Sequence, residues 1–91
     1  MNVSFGPLFE KDLKHIKDKN LRDKILDVID RVKQAKSITE IPNLKKLKGH
    51  KIYYRVRVGD NYRLGISIER DLVEFSRFEH RSSAYSTFPP R

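Results

Sequence analysis

The chain opens on a short alternation of apolar and polar residues, Met1 to Phe5, that stops at Gly6-Pro7. Period-two alternation places side chains on opposite faces of a strand, and a Gly-Pro pair interrupts it. This predicts a brief first strand, with Pro7 in the first turn of a following helix. From Leu8 to about Lys19, Phe9, Leu13 and Ile16 recur at helical spacing among Lys and Asp, so this helix has one narrow apolar face. Asn20 is suited to cap a second helix, in which Leu21, Ile25, Val28, Ile29, Val32 and Ala35 form a wider stripe. The two helices are expected to pair antiparallel across a tight turn.

The next stretch, KSITEIPNLKKLKGHK, contains Pro42 and Gly49 and holds no period. It is predicted to be a connection, anchored by Ile38, Ile41, Leu44 and Leu47. Strict alternation then returns: Ile52, Tyr54, Val56 and Val58 point one way, and Tyr53, Arg55 and Arg57 the other. Gly59-Asp60-Asn61 has the chemistry of a hairpin turn. On the return strand Tyr62, Leu64, Ile66 and Ile68 oppose Arg63, Gly65 and Ser67. After a turn at Glu69-Arg70-Asp71, the last strand puts Val73 and Phe75 on one face and Ser76, Phe78 and His80 on the other.

The pattern predicts an α+β fold of order βααβββ with a short C-terminal turn or helix, in one domain over residues 1–91. A small antiparallel sheet packs on two N-terminal helices, because the helical stripes need an apolar sheet face to cover. The opposite sheet face is left to solvent, and it carries Arg55, Arg57, Arg63 and, on the same alternation, His80.

Charge sharpens this picture. The 91 residues carry a formal net charge of +8 with 37% hydrophobic content, a balance that favours an anionic partner. The basic residues are concentrated: between Asn43 and Arg63 stand Lys45, Lys46, Lys48, Lys51, Arg55, Arg57 and Arg63, against the single acid Asp60. Lys and Arg neutralise phosphates, and the planar guanidinium can hold two phosphate oxygens at once. Lysines that guard a strand edge against aggregation are the plain alternative. It accounts for the loop lysines and less well for three arginines on one sheet face. There are no cysteines, which excludes disulfide scaffolds and thiolate zinc sites. No apolar run reaches membrane-spanning length and no signal peptide is visible, so a cytoplasmic protein without a membrane partner is expected.

His80 is the candidate proton carrier, since imidazole titrates near neutrality. Beside the arginines it would suit RNA cleavage, in which a 2′-hydroxyl loses a proton and the departing 5′-oxygen gains one. The arginines would stabilise the charge that develops at phosphorus. Tyr85, and Tyr53 with it, offer an aromatic face on which a base could stack; Tyr85 could also simply pack the C-terminal turn. His15 and His50 have no companions at ligand spacing, so neither a metal nor another cofactor is expected.

The ordered set LKKLKG, YYRVRVGDNYRLGISI and FSRFEHRSSAYSTFP, preceded by two helices, resembles the RelE/ParE superfamily of toxins from bacterial type II toxin-antitoxin systems. The resemblance spans nearly the whole chain. It implies metal-independent endonucleolytic cleavage of mRNA at the ribosomal A site, and hence inhibition of translation. Carried over residue by residue, it implies roles for Arg55 and Arg57 on the first meander strand, Arg63 on the second, His80 or Arg81 after the last, and Tyr85 near the C-terminus. Lys45, Lys46, Lys48, Lys51 and Tyr53 would contact RNA. Some relatives have lysines where this chain has Arg55 and Arg57; guanidinium is a poor base, which would shift proton transfer to His80 with help from Glu79. The ending Phe88-Pro89-Pro90-Arg91 leaves no room for a longer closing helix, so only a partner is expected to cover the site. That partner is a cognate antitoxin, in a hetero-oligomeric complex, with mRNA and ribosome as the other partners. A ParE-like gyrase inhibitor and a non-cleaving RNA-binding module are the competing readings.

Overall fold

The chain enters β1 (Asn2–Phe5) and turns at Gly6 directly into α1 (Pro7–Lys14), with Pro7 at the helix start, where its missing N–H costs nothing. This computed structural model describes residues 1–84 and 88–90. His15 closes α1, its ring Nδ1 lying 2.8 Å from the Lys11 carbonyl oxygen. The second helix, α2 (Lys19–Gln34), is capped by Asp18, whose carboxylate accepts a hydrogen bond from the Leu21 N–H at 3.2 Å. The cap therefore lies two residues before the predicted Asn20: the Asp18 carboxylate meets the orphan amides of the first turn. At the far end of α2, the Met1 ammonium donates to the carbonyls of Val32, Lys33 and Ala35 at 2.7–3.2 Å, which ties the start of β1 to the helix end.

A single 3₁₀ turn (Ile38–Glu40) leads to β2 (Leu44–Lys46), followed by β3 (Tyr53–Val58), β4 (Tyr62–Glu69) and β5 (Leu72–His80). The five strands lie in the order β1-β5-β4-β3-β2. All neighbours are antiparallel except β1 and β5, which run parallel, with both helices and three strands between them in the chain. The α+β architecture matches the expectation, with two corrections. The supposed connection contains β2, a three-residue edge strand entered through Asn43 at φ 60°, and three residues are too few to show a period. The second correction is the position of β5's side chains.

Leu64 pairs with Phe78 and Gly65 with Arg77, but Ile66 pairs with Phe75, so Ser76 is an extra residue in β5. Such a bulge resets the alternation. Phe78 therefore rejoins Val73 and Phe75 in the core instead of pointing away from them, and all three are buried. His80, opposite Tyr62, follows Phe78 to the helix-facing side. The core is built from Phe9, Ile25, Ile29 and Val32 of the helices against Val56, Leu64, Ile66, Val73, Phe75 and Phe78 of the sheet. Each such side chain contributes about 1.5–3 kcal/mol by leaving water. Phe9 fixes α1 against the sheet, its ring 5.5 Å from that of Phe75. Among the described residues no helix is long and apolar enough to cross a membrane.

Beyond Phe75, β5 has no strand on its outer side, because β1 ends at Phe5. Asp12 of α1 takes that place, accepting the Phe78 N–H at 2.9 Å and the Arg77 guanidinium at 2.9 and 3.2 Å. The Asp12 hydrogen bond raises the Arg77 pKa above its ordinary value; burial opposes this, and the Asp12 and Glu79 charges add to it.

Candidate nucleic-acid interface

The register across the sheet assembles the face that the helices leave open. Lys45 stands opposite Arg55, Arg55 opposite Gly65, and Gly65 opposite Arg77 in one row. In the next row Arg57 stands opposite Arg63, and Arg63 opposite Glu79. Alternation through an unbroken hairpin thus brings Arg55, Arg57 and Arg63 to one face, as predicted. With Asn43, Leu44 and Lys45 they line a groove of about 360 Å³. Arg63 is fixed there by its own turn: its Nη1 donates to the carbonyls of Tyr62 at 2.8 Å and Asp60 at 3.1 Å. These bonds leave other donors of the guanidinium fork for an anion. Arg57 is exposed.

Arg55 differs, at only 8% exposed. A second groove, lined by Lys45, Lys46, Leu47, Lys48, His50, Arg55, Phe88 and Pro89, adjoins it. Phe88 is 3% exposed and its ring lies edge-on to Tyr53, with centroids 5.5 Å apart. The expectation that only a partner covers this face is therefore corrected: Phe88 of the chain itself covers the part around Gly65. Gly65 was the available signal, since a glycine inside an alternating strand marks close approach of another group. Tyr53 is itself packed between His50 and Phe88, so less of its ring is open than a base-stacking role assumes.

The structure does not bring His80 to the arginines. Its ring meets Tyr62 edge-on at 5.5 Å and lines a recess with Asp12, His15, Lys17 and Asp18. Its Nδ1 accepts the Ser82 N–H at 3.2 Å and lies 2.9 Å from the Ser82 hydroxyl oxygen. The bulge at Ser76 is the physical reason for this displacement. Arg81 is exposed, and its backbone N–H donates to the Asn61 carbonyl at 2.7 Å, next to the turn that holds Arg63. Lys46, Lys48 and Lys51 are exposed on β2 and the β2–β3 loop. Tyr85 lies outside the described residues.

A family profile described as ParE toxin of type II toxin-antitoxin system, parDE, matches residues 3–85. The chain belongs to the RelE/ParE superfamily of type II toxins. Among its relatives, Toxin RelE3 of Methanocaldococcus jannaschii is 41% identical over 90 residues, covering 98% of this chain and 100% of that one. The toxin also resembles the solved RelB-RelE antitoxin-toxin complex from Methanococcus jannaschii, with a TM-score of 0.78 and 40% identity over 93% of this chain and 98% of that one. The archaeal RelE-RelB complex from Pyrococcus horikoshii OT3 shares the fold at 22% identity, with a TM-score of 0.72 over 91% and 97% of the two chains. This toxin is thus RelE-like in sequence over almost its full length.

Proposed function

We propose that this toxin is an endoribonuclease that cuts mRNA at the ribosomal A site and so stops translation in the cytoplasm. The observation that carries the reading is the groove of Arg55, Arg57 and Arg63 on the open sheet face, with Arg63 anchored by two backbone carbonyls. Fixed cations in a groove fit a reaction whose transition state gathers charge on phosphate oxygens. The 2′-hydroxyl attacks the adjacent phosphorus, the P–O5′ bond breaks, and a 2′,3′-cyclic phosphate and a 5′-hydroxyl result. Arg57 and Arg63 hold the non-bridging oxygens, and Arg55 supports them. Tyr85, as a phenol, is assigned the donation of a proton to the departing 5′-oxygen, the proton of the 2′-hydroxyl passing to water, and Arg81 a charge near the leaving oxygen. His80, on the helix-facing side with Tyr62, is argued out of the base role that the sequence suggested for it. Lys45, Lys46, Lys48 and Lys51 extend the phosphate path along β2 and its loop.

The inferred regulator is a cognate antitoxin of acidic or amphipathic character, a reading supported by the similar toxin solved with its antitoxin. The ParE description of the matching profile favours a second reading, inhibition of DNA gyrase by binding. One experiment separates them: purified toxin is added to a cell-free translation reaction and new mRNA 5′ ends are mapped with and without ribosomes, alongside Arg63→Ala. Ends that need translating ribosomes and vanish in the variant support the nuclease. Inhibited supercoiling with no new ends supports the gyrase reading.

A further inference from the structure

We infer that Phe88 is a positioning residue for the phosphate groove: its ring, seated on Gly65, holds Arg55 as a fixed donor at the groove's edge. The inference rests on the nuclease reading and adds a residue to it. A Cβ built on Gly65 would stand 2.7 Å from Cγ and Cδ2 of Phe88 and 2.9 Å from Cδ1, distances at which any side chain collides with the ring. The ring therefore lies flat on the β4 backbone at a position where glycine is needed. Glycine inside a strand weakens it and contributes no packing of its own. The packing here comes from the tail.

Gly65 and Arg55 are register partners, so a ring on Gly65 lies beside Arg55. Phe88 and Arg55 line the same groove, and Arg55 and Lys45 line both that groove and the arginine groove. Arg55, on the sheet face that the helices leave open, is 8% exposed, while Arg57, two residues along the same strand, is exposed. A guanidinium held between an aromatic wall and the sheet keeps its orientation when phosphate arrives. Donors fixed in advance stabilise the transition state without reorganising. A tail that only anchored the C-terminus would show none of this in the chemistry.

The test has two arms. In the first, purified toxin is treated with phenylglyoxal and adducts at Arg55 and Arg57 are followed by mass spectrometry. Arg55 should react about tenfold more slowly than Arg57, because reagent reaches it through local opening. Phe88→Ala should abolish that difference and Phe88→Leu should preserve most of it. In the second arm, kcat for ribosomal mRNA cleavage should fall about 10- to 100-fold in Phe88→Ala with KM little changed, as expected for a misplaced catalytic group. Gly65→Ala, which lifts the ring, should do the same, and Phe88→Leu should restore most of the rate. Equal labelling of Arg55 and Arg57 in the wild type overturns the inference even if Phe88→Ala does not fold. A folded Phe88→Ala with wild-type kcat overturns it as well. A wild type that cuts nothing removes the nuclease reading instead, and the labelling ratio then decides by itself whether Phe88 holds Arg55.

Discussion

Replacing Asp12 tests how the unpaired edge of β5 is held. Its carboxylate accepts from the Phe78 N–H at 2.9 Å and from Arg77 Nε and Nη2 at 2.9 and 3.2 Å. The Arg77 and Asp12 side chains are 22% and 16% exposed, so water replaces the lost partners only in part. A hydrogen bond to a charged acceptor contributes about 1.5–3 kcal/mol, and the backbone amide of Phe78 has no alternative strand beside it. The ion pair, nearer the surface and with Glu79 still 3.6 Å from Arg77, adds about 1 kcal/mol. Asp12→Ala should therefore cost about 3 kcal/mol, Arg77→Ala about 1, and Asp12→Asn about 1.5, because the amide oxygen still accepts from Phe78. In a domain of this size the first value lowers Tm by about 12–24 °C. Urea titrations followed by far-UV circular dichroism, on both single variants and the double, measure these costs and the coupling between the partners. The sign with pH also follows. The Arg77 pKa is raised, so its contribution is full below the ordinary arginine range and is lost only in strong alkali. Titrations from neutral to mildly alkaline pH should show no loss from this pair. If Asp12→Ala costs no more than Arg77→Ala, the bond to Phe78 contributes nothing and the account of the edge is wrong.

Three further outcomes follow from the geometry. Arg63→Ala should reduce ribosomal cleavage about 100-fold, whereas His80→Ala should leave it nearly unchanged; a large loss in the latter, measured by 5′-end mapping, would return His80 to the chemistry. Asp18→Ala should cost about 1 kcal/mol in a thermal melt and Asn20→Ala almost nothing, since only Asp18 caps α2. Deleting Ser76 should remove the bulge and turn Phe78 out of the core, a loss of about 3 kcal/mol or more, and a deletion variant that melts with the wild type would show that the register is held by other means.

The arginine face was legible because β3 and β4 alternate without interruption through a hairpin whose turn residues are local. Arg55, Arg57 and Arg63 needed only period two and one turn to be placed together, and the resemblance to RelE/ParE toxins pointed to the same side chains. Asp18 was harder to read: Asp and Asn both cap helices, and the choice depends on where the preceding turn ends. The strand β2 was not legible at all, since three residues paired to β3 owe their conformation to the neighbouring strand and not to their own pattern.

The Ser76 bulge shows why the same rule that placed the arginines misplaced His80. Period-two alternation propagates an error to every later position, so one extra residue moved Phe78 into the core and took His80 with it. Nothing local in FSRFEH marks that residue. Its benefit is distant, in the burial of Phe78 beside Tyr62, whose rings stack with centroids 5.2 Å apart. The seating of Phe88 on Gly65 is likewise a contact across more than twenty residues, visible in sequence only as a glycine where a strand would do better without one. Both features act on the same face. The bulge withdraws an imidazole from it and the tail lays a phenyl ring on it, so the groove that remains is dominated by guanidinium. Chemistry there depends on how firmly those cations are held, which is why Arg63's carbonyl anchors and Arg55's aromatic wall matter more to the proposed reaction than the number of basic residues nearby.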